Sequence, residues 1–79
     1  MITVYSKNNC PFCEQAKALL KMKGKDYTEI KIDENSNAKE FVLSEGHRTV
    51  PQLYKDGKLL VEGGFQGLKK LTEDQWNNV

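Results

Sequence analysis

The fold of this chain is decided by the stretch Ile2-Thr3-Val4-Tyr5-Ser6-Lys7-Asn8-Asn9-Cys10-Pro11-Phe12-Cys13. Its β-branched and aromatic start predicts a short strand. Pro11 suits the first turn of a helix, because proline has a fixed φ and lacks an N–H that would go unpaired there. Cys13, Ala16 and Leu20 then recur at helical spacing. We therefore expect a strand, a turn and a helix, with both cysteines where the helix begins.

The rest of the chain continues this alternation. A period-two pattern predicts a strand over residues 27–32. Residues 50–54 are expected to form a strand that begins at a proline, and an Asp56-Gly57 hairpin turn joins it to a strand over residues 58–61. A helix closed by Gly46 is expected between residues 32 and 50. Asn35-Ser36-Asn37 offers N-cap oxygens for it, and Asn37 with Glu40 resembles a capping box. The order βαβαββα predicts an α/β fold, a four-stranded mixed sheet with three helices. A second cap at Thr72 would divide the last helix into two short pieces.

Length and composition exclude several classes of protein. Seventy-nine residues make one small domain, 1–79. Twelve basic against eleven acidic residues leave a net charge of +1, which argues against nucleic-acid binding. The start has no apolar signal-peptide core, and the apolar runs are far too short for a membrane span. We expect a cytoplasmic protein, in a reducing compartment where a lasting structural disulfide is unusual.

Cys10-Pro11-Phe12-Cys13 carries the strongest chemical signal. The spacing i, i+3 puts both sulfurs on one helix face, close enough to bond reversibly. At the helix start, free N–H groups and the positive end of the dipole stabilise a Cys10 thiolate, the nucleophile of disulfide exchange. Cys13 lies one turn deeper on the apolar face, where burial opposes ionisation. Cys10 is therefore expected to attack and Cys13 to resolve.

Three other interpretations compete for the cysteine pair. A structural disulfide closing so short a loop would contribute only roughly 2 kcal/mol. A metal half-site lacks further ligands, since His47 is the only histidine and there is no second cysteine pair, so we expect no metal. Two core cysteines placed by chance remain the third interpretation. A redox dithiol is favoured, because this motif stands beside a strand–helix pattern.

Together with Thr49-Val50-Pro51 and Gly63-Gly64, this motif resembles the glutaredoxin family over essentially the whole chain. The resemblance implies a thioredoxin-like fold and a monomer that uses glutathione to reduce protein disulfides and glutathionylated proteins. It implies a cis Pro51 beside Cys10 and a Val50 backbone that pairs with the cysteine of glutathione. The other glutathione-binding residues that it implies are Lys7, Phe12, Thr49, Gly63, Gly64, Phe65 and Gln66.

Two alternatives for function stay open. Glutaredoxins often carry acidic residues after the two glycines, whereas this chain has Phe65, Gln66 and Gly67. A glycine–aromatic sequence there also resembles the hydrogen donors of ribonucleotide reductase, which are fed by thioredoxin reductase. A glutathione-ligated iron–sulfur dimer is the other alternative, and Pro11 argues mildly against it. His47 is expected to be exposed and without a role.

Overall fold

The computed structural model describes all 79 residues, and its elements follow the expected order. The strands are β1 (Ile2–Ser6), β2 (Tyr27–Lys31), β3 (Gln52–Lys55) and β4 (Lys58–Leu59). The helices are α1 (Pro11–Met22), α2 (Ser36–Ser44), α3 (Phe65–Lys69) and α4 (Glu73–Asn77). None of these helices has the length and apolar character needed to cross a bilayer.

The four strands form one mixed sheet in the order β2-β1-β3-β4. β1 pairs in parallel with β2, and both the β1–β3 and β3–β4 pairs are antiparallel. The β3–β4 hairpin turns at Asp56 and Gly57, whose φ angles of +51° and +83° are those of a two-residue turn. The expected mixed sheet is therefore confirmed.

Helices cover both faces of the sheet. Ile2 and Val4 of β1 point to one face and join a core that α1, α3 and α4 complete through Ala16, Leu20, Leu68 and Trp76. On the opposite face, the Phe41 ring of α2 packs against Tyr5 and Tyr54, with ring centroids 5.3 and 5.2 Å apart. The first face is the one on which α1, with its two cysteines, rests.

The C-terminal segment forms two helices, so the protein has four helices where three were expected. Thr72 lies between them with φ −76° and ψ 168°, an extended conformation that cannot continue a helix. Its hydroxyl accepts from the N–H of Gln75, and the Gln75 side chain accepts from the N–H of Thr72. The second cap inside this segment is confirmed.

Two local predictions were wrong. The N-cap of α2 is Asn35, whose side-chain oxygen accepts from the N–H of Ala38 at 2.9 Å, so Asn37 and Glu40 form no capping box. β4 ends at Leu59 and does not reach residue 61. Only Leu60 extends the pairing, by donating to the carbonyl of Leu53 at 2.8 Å. Beyond it the chain turns toward Gly63 and α3.

Candidate active site

Cys10 and Cys13 lie at the N-terminus of α1 and are joined by a disulfide, with their α-carbons 5.2 Å apart. Cys10 is the N-cap, Pro11 follows in the first turn, and Cys10 Sγ accepts from the N–H of Cys13 at 3.2 Å. Cys10 is 8% exposed, whereas Cys13 is completely buried. Cys10 is therefore the more accessible of the two cysteines, and a backbone N–H donates to its sulfur.

The loop before β3 faces Cys10. The Val50–Pro51 peptide bond is cis, and the carbonyl oxygen of Val50 lies 3.9 Å from Cys10 Sγ. A disulfide sulfur has no proton to donate, so this contact is not a hydrogen bond in the oxidised state. The N–H and C=O of Val50 also have no backbone partner. A half-buried peptide unit without a backbone partner thus lies beside the sulfur of Cys10.

An apolar groove of about 280 Å³ runs along this loop. Phe12 is 53% exposed and stacks on Phe65, with ring centroids 6.2 Å apart and planes 29° apart. Lys69 Nζ lies 5.5 Å from the centroid of the Phe65 ring. The structure brings together six of the site residues expected from the sequence along this groove, namely Phe12, Thr49, Val50, Pro51, Phe65 and Gln66.

Gly63 and Gly64 lead into α3 beside the same groove. Their φ angles are +85° and +57°, which residues with side chains rarely adopt. Gly64 is the N-cap of α3, and neither its own N–H nor that of Phe65 has a backbone partner. Both N–H groups are therefore available to an anion at the edge of the groove.

Lys7 lies outside the apolar groove. It is exposed and lines a polar pocket of about 490 Å³, which it shares with Cys10, Glu14 and Lys31. Asn8 fixes this side of the site, since its backbone N–H and side-chain amide both donate to Asp33 Oδ2. The backbone donation of Asn8 is the main reason that the pKa of Asp33 is lowered. Cys10 therefore links the polar pocket of Lys7 to the groove at Val50.

His47 was expected to be exposed, and the structure corrects this. The residue is half-buried, and its Nε2 lies 2.8 Å from the hydroxyl of Tyr54, which in turn donates to Glu45 at 3.2 Å. Burial, and then Glu45, raise the pKa of Tyr54. The contact ties the loop that precedes Thr49 to β3. Sequence alone gave no sign of it, because the two partners lie on different elements.

A second unexpected feature lies under α1, where Ser6 and Glu29 of the sheet meet Lys17 of the helix. Ser6 is completely buried, and its hydroxyl donates to Glu29 Oε2 at 2.6 Å. Hydrogen bonds from Lys17, and then from Ser6, lower the pKa of Glu29. Glu14, and then Glu29, raise the pKa of Lys17. The signal available in the sequence was a serine at the third inward position of β1, after Ile2 and Val4.

The chain that carries this cysteine pair and cis-proline loop is similar to known proteins. The glutaredoxin family profile matches residues 2–60. The chain belongs to the glutaredoxin family. Glutaredoxin 3 of Escherichia coli K12 is 40% identical over 71 residues, which cover 89% of this chain and 83% of that protein. The family is one of thiol–disulfide oxidoreductases, and Cys10 and Cys13 of this chain match its CxxC dithiol site.

Two further proteins are similar to this chain, one in structure and one in sequence. The crystal structure of a buckwheat glutaredoxin–glutathione complex superposes with a TM-score of 0.78 at 27% identity, covering 98% of this chain and 73% of that one. A glutaredoxin-like protein NrdH of Lactococcus lactis is 43% identical over 56 residues, which cover 71% of this chain and 78% of that protein. The thioredoxin-like fold is therefore shown, and the family includes members of the NrdH type.

Proposed function

We propose that this glutaredoxin-family protein is a glutathione-dependent oxidoreductase that reduces protein disulfides and glutathione mixed disulfides through Cys10 and Cys13. The observation that carries the proposal is the position of Cys10 beside the unpaired peptide unit of Val50. An extended peptide that pairs with Val50 as a short strand presents its own sulfur to Cys10. The cysteine of glutathione is such a peptide unit.

The reaction follows from the two different environments of the cysteines. The Cys10 thiolate attacks a substrate disulfide, forming a mixed disulfide and releasing one substrate thiolate. The Cys13 thiolate then attacks Cys10 Sγ, which frees the second substrate thiol and forms the Cys10–Cys13 disulfide. Two glutathione molecules reverse this state, leaving oxidised glutathione and the dithiol. With a glutathione mixed disulfide as substrate, Cys10 takes the glutathionyl group, and a second glutathione then removes it as oxidised glutathione, so this cycle does not need Cys13.

The ends of glutathione have matching partners around Cys10. Lys7 supplies a positive charge for the glycyl carboxylate, and the free N–H groups of Gly64 and Phe65 suit the γ-glutamyl carboxylate. Phe12 forms an apolar wall, and Thr49 and Pro51 line the groove with it. The similar buckwheat protein, whose structure is a glutathione complex, supports this assignment. We extend the proposal to a monomer working in the cytoplasm, whose glutathione pool is reducing.

One observation favours thioredoxin reductase as the alternative electron source. Phe65 stacks on Phe12, and Gln66 follows where an acidic residue would pair with the glutathione ammonium group. This makes the groove more apolar and removes a charge that favours glutathione. Reduction by thioredoxin reductase, with ribonucleotide reductase as the recipient of electrons, is therefore the alternative function, and the NrdH-type relative supports it.

Serine variants test the roles of the two cysteines. Cys10→Ser should abolish activity on a glutathione mixed disulfide, because no thiolate remains at the accessible position. Cys13→Ser should keep much of that activity and lose the reduction of protein disulfides. Equal activity of both variants on the mixed disulfide would overturn the assignment.

A further inference from the structure

Ser6, Glu29 and Lys17 form a network that lines neither the polar pocket nor the apolar groove beside Cys10. Glu29 Oε2 lies 2.9 Å from Lys17 Nζ, and Lys17 also pairs with Glu14 at 2.6 Å. Only 15% of the Lys17 side chain and 23% of the Glu29 side chain are exposed. Removing charged groups from water is costly, and a well-packed apolar set often stabilises a fold equally well. Fold stability is therefore a weak explanation for this network.

The network lies one turn of α1 away from Cys13. Lys17 follows Cys13 by four residues in α1, and side chains at that spacing are neighbours, with Cβ atoms roughly 5–6 Å apart. Glu29 is the register partner of Val4 in the parallel ladder, so it points to the face of the sheet that α1 covers. The network thus anchors the side chain of Lys17 one helical turn from the completely buried Cys13.

The reaction creates a negative charge at Cys13. When a glutathione thiolate bonds to Cys10 Sγ, the Cys10–Cys13 bond breaks and its electron pair remains on Cys13 Sγ. A proton from solvent later converts this thiolate to the thiol. A buried thiolate without a partner is costly, whereas a nearby positive charge stabilises it and makes it a better leaving group. Lys17 is the first basic residue after Cys13 in α1.

We propose that Lys17 stabilises the departing Cys13 thiolate, and that Glu29 and Ser6 are positioning residues that hold the Lys17 ammonium group in place. This inference rests on the proposed thiol–disulfide exchange and adds a residue to it. Glu14 and Glu29 keep Lys17 protonated, and the buried Ser6 hydroxyl orients the Glu29 carboxylate. Lys17 is expected to act on the two-cysteine pathway alone.

The first test is the rate at which glutathione reduces the Cys10–Cys13 disulfide of the purified, oxidised protein, followed by rapid acid quench and thiol counting. Lys17→Gln should slow this step several-fold, because part of the negative charge has already developed on Cys13 Sγ when the Cys10–Cys13 bond breaks. Lys17→Arg should restore most of the rate, because it keeps the charge. The matched control is Lys21→Gln, an exposed lysine four residues further along α1, which should react like the wild type.

A Cys13→Ser background separates this role from a structural one. Without Cys13 there is no leaving group to stabilise, so Lys17→Gln should leave deglutathionylation through Cys10 unchanged. Equal slowing in both backgrounds, or an unchanged rate of disulfide reduction, would overturn the inference. Glu29→Gln is a second variant. It should also slow disulfide reduction, because Glu29 would no longer hold the Lys17 ammonium group in place.

The quench measurement also separates this inference from the proposed function. It follows one chemical step and needs neither a protein substrate nor turnover. A Cys13→Ser protein that cannot deglutathionylate any substrate would contradict the proposed function. The rate at which glutathione reduces the Cys10–Cys13 disulfide in Lys17→Gln would still decide the role of Lys17: a slower rate supports it and an unchanged rate overturns it.

Discussion

Gly64 lies directly against the carbonyl oxygen of Pro51, so that a Cβ added at Gly64 would come within 2.5 Å of that oxygen. Gly64 also has φ +57° and ψ −125°, a conformation that is essentially restricted to glycine. The contact joins the cis-proline loop to the start of α3. The two walls of the apolar groove are therefore held in fixed relation to each other.

Replacing Gly64 by alanine should damage both stability and the site. We expect the free energy of unfolding, measured by urea denaturation, to fall by about 1–3 kcal/mol from backbone strain, and by more if Pro51 cannot move. Displacement of the Pro51 loop should also raise the KM for a glutathione mixed disulfide. Gly24→Ala is the control: Gly24 has φ +70° but no atom within 4 Å of an added Cβ. It should lose stability and keep the wild-type KM.

Phe12 should contribute to substrate binding more than to stability. Its ring is more than half exposed and contacts Phe65 across the groove. Phe12→Ala removes the apolar wall that the substrate would contact and should raise KM roughly two- to tenfold, the equivalent of about 0.5–1.5 kcal/mol for one lost contact with an aromatic ring. Leu43→Ala removes another exposed apolar side chain, on α2, and should leave KM unchanged. A fall in stability without any change in KM would show that Phe12 is a packing residue.

The stability of the protein in acid should depend on Glu29. Lys17 and Ser6 lower the pKa of Glu29 from its ordinary 4.5 in the folded state. A carboxylate whose pKa is lower in the folded state stabilises the protein at pH values above its pKa in the unfolded state. This stabilisation is lost as the pH falls through its pKa in the folded state. Glu29→Gln should therefore lose less unfolding free energy than the wild type between neutral pH and about pH 3.

Glu40→Gln is the matched control for this acid dependence, because Glu40 is an exposed carboxylate on α2 without an ion pair. It should lose as much unfolding free energy in acid as the wild type does. If Glu29→Gln also follows the wild-type curve, the Lys17–Glu29 pair is absent in solution.

The sequence predicted those parts of the fold and site that depend on local pattern. Cys10, Pro11 and Cys13 lie at the helix start, and Asp56-Gly57 forms the hairpin, because capping and turn chemistry act over a few residues. The start of α2 was misplaced because Asn35 and Asn37 are both good caps. In the structure Asn35 is the N-cap, and Ala38, whose N–H donates to the Asn35 side chain, is buried.

Contacts between distant elements could not be predicted in this way. The Lys17–Glu29 pair depends on the packing of α1 on the sheet and on the parallel register that puts Glu29 beside Val4. The contact of His47 with Tyr54 likewise joins a loop to a strand. Short-range propensities do not encode either register or packing, so the residues that support the active site appear only in three dimensions.

The measurement that tests the central claim most directly is NADPH consumption in two coupled assays with the same glutathione mixed disulfide or protein disulfide. One assay supplies glutathione and glutathione reductase, and the other supplies thioredoxin reductase alone. If the protein depends on glutathione, NADPH should be consumed in the assay with glutathione and glutathione reductase and not in the assay with thioredoxin reductase alone. Consumption with thioredoxin reductase alone would contradict the proposed function and establish the alternative electron source.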